Sequence, residues 1–390
     1  MLALLVRRYP DFVLRRQPAP LCGEIPVFTF HSVEPVSFKE KLDFLAGNHY
    51  RTLNGEEFRA AIAGEIELPK NSVLLTFDDG AASLWTVAFP LLRKYGFRAV
   101  SFLISGCIPD HAPDTPTVLD YQRKKASASE LAAREHGHDP LCSWEEIGEM
   151  HRSGVIDFQS HTLYHHRICV SSRLVDFIHP RFDVHFHSNV NVPAYRVEGK
   201  LNFSRQMAWG TPLYRYQPRM GGLPQYFDDE RIRAFCVEYV ARQGGIKFFA
   251  HKDWRRRLWA VHRRARQAQD NGSFESPAEQ EEAIFEDLSI SKEMIERRLP
   301  GKVVDQLCYP WFIGSPLAVE QSRRAGYRVN YWGVVAGRRT NRMGDDLFHV
   351  PRLDERYIFR LPGKGRKSLR EILSTKMRNH FPGFLKRLRG

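Results

Sequence analysis

Short apolar runs recur along this chain, and each stops at polar residues before a helix-length segment begins. Ile25 to Phe30, Val73 to Phe77, Ala99 to Ile104 and Val155 to Gln159 are such runs. They are too continuous for strands with one wet face and predict strands buried on both faces. The segments between them carry helical signals. Phe38, Leu42 and Leu45 recur at helical spacing. Asn54 with Glu57 three residues on reads as a capping box. Ser83 to Tyr95 is closed by Gly96, and Ser143 caps a helix that starts Trp144-Glu145-Glu146 and ends near Ser153-Gly154. Strand, helix, strand in this rhythm predicts a parallel α/β sheet. The rhythm resumes late, with a helix from Pro277 to Leu299, a strand at Leu307-Cys308-Tyr309 and a helix from Ser315 to Ala325. Strands at Val329 to Trp332 and at Phe348 to Val350 then follow.

Two stretches break the pattern. Residues 107–141 read as a long connection or lid. From 180 to about 275 the chain carries Pro193, Pro212, Pro218 and Pro224, a Gly221-Gly222 pair and a basic run from Lys252 to Arg266. The expected division is therefore an α/β body over 22–180 and 276–362 with an inserted subdomain over 181–275. A basic segment over 1–21 precedes the body, and a basic amphipathic tail over 363–390 follows it.

With 390 residues, 43% of them hydrophobic, the chain can bury a sizeable core, which excludes global disorder. The six cysteines form no Cys-x-x-Cys pair, which argues against a zinc ribbon or a disulfide scaffold and for a reducing compartment. The apolar opening Met1 to Val6 is cut short by Arg7 and Arg8, and no run is long enough to span a bilayer. The expectation is a cytoplasmic protein, or one peripheral to the inner membrane face.

Charge sharpens that expectation. Of a net +13, residues 1–20 hold +3 and residues 363–390 hold +8, so the body is nearly neutral. In the tail, Leu369, Ile372, Leu373, Met377, Phe381, Phe384, Leu385 and Leu388 fall at helical spacing among Arg and Lys, with a kink at Pro382. Such a helix either docks on the body or meets an anionic lipid surface. Nucleic acid is set aside, because no base-reading module is present.

The chemistry collects at strand ends. Thr76-Phe77-Asp78-Asp79-Gly80 leaves a buried strand with two adjacent carboxylates, whose repulsion and desolvation call for a compensating cation. An Asx turn is the structural alternative. His161 and His165 follow another buried strand at i, i+4, and can share one metal. Their plain alternative is a pair of surface imidazoles. With one carboxylate they make a His₂Asp set that leaves positions open for water, as a hydrolytic site needs.

These motifs resemble those of the polysaccharide deacetylases, the NodB-homology family (carbohydrate esterase family four). Thr76 to Gly80 is similar to its first motif and His161 to His165 to its second. Tyr309-Pro310-Trp311 followed by Gly314 looks like its third. Ile25-Pro26-Val27 to His31-Ser32-Val33 and Tyr50-Arg51-Thr52-Leu53 resemble members that act on amino-sugar polymers. The resemblance covers about 22–180 and 280–355. It implies a deformed (β/α) barrel of seven or eight strands, with chemistry at the carboxyl ends of strands. It implies that Asp79, His161 and His165 hold one divalent metal, usually Zn²⁺, and that Asp78 is the general base. The turn at Tyr309, Pro310 and Trp311 would bind substrate and supply a backbone N–H to the oxyanion. The implied reaction is removal of an N-acetyl group from an amino sugar in a glycan or a lipid-linked sugar. Deformylation on the same site is the near alternative.

The chain departs from the family in two places. No Arg stands beside Cys308 to orient the catalytic Asp, and no Leu-x-x-His closes a late strand. His349 and His31 are the substitutes for the missing general acid, each weighed against a role as a satisfied core histidine. Those gaps also leave open a catalytically inactive glycan-binding protein.

Overall fold

The computed structural model of the protein describes residues 8–135, 137, 140–182, 193–202, 207–268, 272–335 and 337–380. The strands are β1 (Val27–Phe30), β2 (Arg51–Thr52), β3 (Ser72–Phe77), β4 (Ala99–Leu103) and β5 (Ile156–Ser160), then β6 (Arg167–Phe177), β7 (Pro193–Val197), β8 (Lys200–Asn202) and β9 (Pro212–Pro218). There follow β10 (Tyr226–Phe227), β11 (Ser273–Phe274), β12 (Gln306–Cys308), β13 (Val329–Tyr331) and β14 (Leu353–Asp354). Seven of them form one parallel sheet in the order β13-β12-β5-β4-β3-β1-β14, and β2 pairs with the start of β3. The sheet curls into a half-barrel, as the sequence led one to expect.

Alternation along each strand sorts side chains to its two faces. Val27, Leu74, Val100, Phe102, Cys308, Val329 and Tyr331 pack with Phe58 and Ile62 of the helix Gly55–Ala63 in the cluster that fills the concave face. Phe28, Leu75, Phe77, Leu103, Phe158 and Leu307 belong to the larger cluster beneath the surrounding helices. The capping box read from sequence, Asn54 with Glu57, is present, and the Ser143 cap forms a second box with Glu146.

Residues after β5 build a second unit. Strands β6 to β9 form a separate sheet in the order β8-β7-β6-β9, and the helices Glu230–Arg242 and Trp254–Ala268 lie against it. Its core includes Phe177, Tyr195, Leu213, Cys236, Val240, Phe248 and Leu258. Residues 183–192, 203–206 and 269–271 of the expected insertion lie outside the described residues. Arg219, just beyond β9, ties this unit to the half-barrel. It donates to both oxygens of Glu275 at 2.7 and 2.9 Å, and to the carbonyl of Gln280 at 3.2 Å on the helix Pro277–Arg298.

Three local expectations change. The helix expected over Ser83–Tyr95 starts as a π-helical turn at Leu84–Ala88 and becomes α-helical over Phe89–Tyr95. The connection 107–141 holds two short helices, Val118–Gln122 and Ala128–Ala133. The strand expected at Phe348–Val350 is a 3₁₀ turn over Leu347–His349, with only Val350 bridging to Tyr331. The sheet instead ends on β14, whose two residues are too few to show a period.

The basic ends are partly used inside the protein. Arg360 donates to the carbonyls of Val13 and Arg15, and Arg366 to those of Phe12 and Arg16. The tail helix runs over Leu369–His380, and its Ile372 is buried in the main core. Residues 1–7 and 381–390, with Phe381, Pro382, Phe384, Leu385 and Leu388, lie outside the described residues. Among the described residues no helix is long and apolar enough to cross a membrane.

Candidate active site

On β3 the alternation that sends Leu74 inward also sends Thr76 and Asp78 inward, while Phe77 packs outward. Asp78 is therefore delivered to the concave face, with 1% of its side chain exposed. The backbone then turns sharply: Asp79 has φ 70° and Gly80 φ 77°. A left-handed non-glycine residue is costly and points to a constraint. Here the turn lifts the Asp79 carboxylate over the strand ends toward the histidines. His161 and His165 come from the loop after β5, where Thr162 and His165 are also left-handed at φ 68° and 49°. The His165 amide donates to Thr162 Oγ1, and the Leu163 amide to Asp287 Oδ1, from the helix Pro277–Arg298.

Asp79 Oδ1 lies 3.5 Å from His161 Nε2 and 3.8 Å from His165 Nε2. These are long for hydrogen bonds. They match the ~3.4 Å edge of a tetrahedron whose corners each stand about 2.1 Å from one ion. His161 Nδ1 is 2.8 Å from the Cys308 carbonyl oxygen, an acceptor that sets the tautomer and turns Nε2 toward Asp79. The donor set and its spacing therefore fit a divalent ion. Asp78, His161 and Cys308 form a second compact trio, but its Asp78 is already held by a cation.

That cation is Arg352. Wholly buried, it donates to Asp78 Oδ1 at 2.7 Å and Oδ2 at 2.9 Å, and also to Thr76 Oγ1, Cys308 Sγ and the Trp332 carbonyl. Burial by itself would push the Asp78 pKa up. The Arg352 charge, His161 and the Arg352 hydrogen bonds outweigh it and hold the carboxyl below its ordinary value. Arg352 is thus the orienting arginine that could not be found beside Cys308. It comes from the approach to β14, on the other edge of β1. The available signal was an Arg set among Val350, Pro351 and Leu353, since a cation in an apolar run needs a buried carboxylate.

The remaining candidates fall on different sides of this centre. His31 Nε2 lies 3.8 Å from Asp78 Oδ2, with about half of its side chain exposed. His349 is bonded through Nδ1 to Asp346 at 2.6 Å and stacks on Trp332 with centroids 5.2 Å apart. Tyr309 is buried, its hydroxyl accepting from Asn330 at 2.7 Å and its amide donating to the Tyr331 carbonyl. Pro310 is buried beside it. Trp311 and Phe312 are consecutive left-handed residues at φ 51° and 61°. That turn sets the Trp311 ring 4.2 Å from His165 and 4.5 Å from the Arg167 guanidinium carbon.

Fold and site together define the class: a parallel half-barrel with a carboxylate–bis-imidazole cluster beside a buried, arginine-held carboxylate at its strand ends. Residues 65–184 match the model of the polysaccharide deacetylase family. The poly-beta-1,6-N-acetyl-D-glucosamine N-deacetylase of Escherichia coli (strain K12) is 32% identical over 137 residues, 35% of this chain and 18% of that protein. The chain thus matches less than a fifth of that curated relative's length. Among solved structures, a de-N-acetylase from Aggregatibacter actinomycetemcomitans superposes with a TM-score of 0.50 at 17% identity, covering 85% of this chain and 95% of that one. The BpsB deacetylase domain from Bordetella bronchiseptica also gives a TM-score of 0.50, at 15% identity, covering 86% and 97%. At those identities the likeness establishes the fold.

Proposed function

We propose that this protein is a metal-dependent hydrolase that removes N-acetyl groups from an amino-sugar polymer. The observation that carries the reading is the pairing of the Asp79–His161–His165 cluster with an Asp78 kept ionised and fixed by Arg352. A divalent ion in that cluster, with zinc the natural choice for His₂Asp ligands, would polarise the amide carbonyl and make water acidic.

The protein's own groups complete the reaction. An ionised carboxylate has about four lone-pair positions, and Arg352 takes one on each oxygen. Among the described residues, the only further hydrogen-bond donor to Oδ2 is the weak Cys308 thiol at 3.8 Å, which the proton of the attacking water would displace. His31, in its imidazolium form, is the group placed to protonate the departing amine nitrogen as the C–N bond breaks. The products are acetate and a free amino sugar. On the Tyr309 turn, the amides of Tyr309, Phe312 and Ile313 are donated to the carbonyls of Tyr331, Tyr309 and Pro310. Pro310 has no N–H, so the Trp311 amide is the turn's candidate donor to the oxyanion. The poly-N-acetylglucosamine specificity of the relative's name supports that substrate class here.

The test is acetate release from N-acetylglucosamine oligomers by the zinc-loaded protein, with chelated protein and Asp78→Asn as controls. Acetate that vanishes in both controls supports the reading. Formate from a formamido sugar, with no acetate, would replace it by a deformylase. Oligomer binding with no turnover in any metal form would replace it by a glycan-binding protein.

A further inference from the structure

The second unit holds a cavity of about 520 Å³ that the catalytic reading does not use. Its bed is aromatic. Phe249 and Trp254 have ring centroids 5.0 Å apart, and the His179 ring lies 5.2 Å from that of Trp254. Its rim is cationic. Arg181, Lys252 and Arg255 line it, and all three are exposed. No carboxylate lines it among the described residues. The nearby acids are already paired: Asp176 accepts from the rim's own Arg255 at 3.1 and 3.2 Å and offsets its charge, and Asp253 accepts from Arg256 and Arg257 at 3.0 Å each. Arg255 is also held flat, its guanidinium carbon 4.3 Å from the Trp254 ring centroid. Arg181 and Lys252 are left as a concentration of positive charge over an aromatic floor. A ligand that matches both features has an apolar ring face and an oxyanion. A pyranose has the first in its C–H face, and an acidic sugar has both.

Position adds to the argument. Strand β6 starts at Arg167, which stacks on Trp311 at the active site, and ends at Phe177, next to the cavity wall at His179. Eleven residues of strand at about 3.3 Å each separate the two by roughly 30 Å. A small molecule cannot span that distance, but an extended glycan can.

We propose that this cavity is a second carbohydrate site, an exosite that takes a sugar bearing a phosphate or carboxylate group. The ring lies over the partly exposed Phe249, beside the Trp254 ring that Arg255 covers, and the oxyanion sits between Arg181 and Lys252. The site retains a distant part of a long chain while another unit occupies the catalytic centre. The occupancy of the exosite does not depend on the chemistry proposed for Asp78, so the two readings can fail separately.

Isothermal titration of the full chain at low salt tests it with glucose 1-phosphate, glucuronic acid, N-acetylglucosamine and inorganic phosphate. One or both acidic sugars should bind, and which one binds identifies the oxyanion. N-acetylglucosamine and inorganic phosphate should bind at least about tenfold more weakly. Arg181→Glu with Lys252→Glu, both on the surface, should weaken the acidic sugar at least about tenfold, while Asp78→Asn leaves its affinity unchanged. Equal affinity in the double variant would overturn the proposal, as would inorganic phosphate binding as tightly as the sugar. Flotation with phosphatidylglycerol vesicles that is lost in the double variant, with no sugar binding, would make the cavity a lipid-headgroup site and also overturn it.

Discussion

Among the described residues, two arginine–carboxylate pairs have both side chains no more than 3% exposed, and they have opposite surroundings. Arg219 and Glu275 pair at the edge of the second unit, where Arg219 also reaches the Gln280 carbonyl of the half-barrel; each side chain is 3% exposed. Glu275 accepts twice from Arg219 and once from the Gln225 amide at 2.7 Å. Arg352 and Asp78 are equally buried, at 0% and 1%. Yet Asp78 Oδ2 also faces His31 at 3.8 Å, and His161 lowers its pKa from the side of Asp79 and His165. The same pair is a structural tie in one place and, in the proposed reaction, an oriented base in the other. What separates them is what faces the carboxylate: a backbone amide in one place, the imidazole of His31 in the other.

That comparison can be broken by experiment. The largest effect is expected for Asp78→Asn, which should lower turnover roughly 10³–10⁴-fold. Glu275→Gln should leave the turnover of each folded molecule unchanged. Both leave a buried guanidinium uncompensated and should lower the unfolding free energy by about 3–5 kcal/mol, read by denaturant titration. A large turnover loss in Glu275→Gln without loss of stability would erase the distinction.

Next in size, Arg352→Lys should lower kcat by roughly 10²-fold, because an ammonium cannot make the bidentate clamp that keeps Asp78 aimed. Arg219→Lys should cost stability alone. His31→Gln should lower kcat by about 10²-fold with little change in KM, whereas His349→Gln, its ring stacked on Trp332, should leave both near wild type. Steady-state kinetics on the two variants decides which imidazole is the acid.

Asp287 sharpens the picture at smaller scale. It holds the Leu163 amide between the two histidines, and Asp287→Ala should weaken zinc by about tenfold in a chelator competition, with Asp287→Glu recovering part of the loss. Burial pushes the Asp287 carboxyl up to about 6, against the backbone bond from Leu163 and the Arg219 charge. Burial also pushes the neighbouring His166 down to about 3. A raised carboxyl pKa favours the folded state below the unfolded value near 4 and loses that contribution as pH rises through about 6. The stability of the metal-free wild type should therefore fall across that window relative to Asp287→Asn.

The half-barrel was legible in the chain because its strands are buried on both faces, and continuous apolar runs between capped helices have few other solutions. The residues Asp78, Asp79, His161 and His165 stood out for a related reason. Each group is contiguous in sequence and lies just past a strand, so local spacing already says which side chains can converge. Arg352 was not legible. It lies 274 residues from Asp78, and the strand it precedes, β14, has two residues. No periodicity marks such a position, and only the pairing of β1 with β14 brings it to the concave face. His31 and His349 looked alike as substitute acids because an imidazole's partners are set by neighbours distant in the chain. The sequence by itself determined the parallel sheet, the carboxylate turn and the paired histidines, since these follow from burial and from short-range geometry. Only the tertiary structure decided which cation fixes Asp78, which histidine faces it, and that a cationic aromatic cavity forms in the second unit. Those depend on long-range contacts, whose energies are properties of pairs of segments and not of either segment alone.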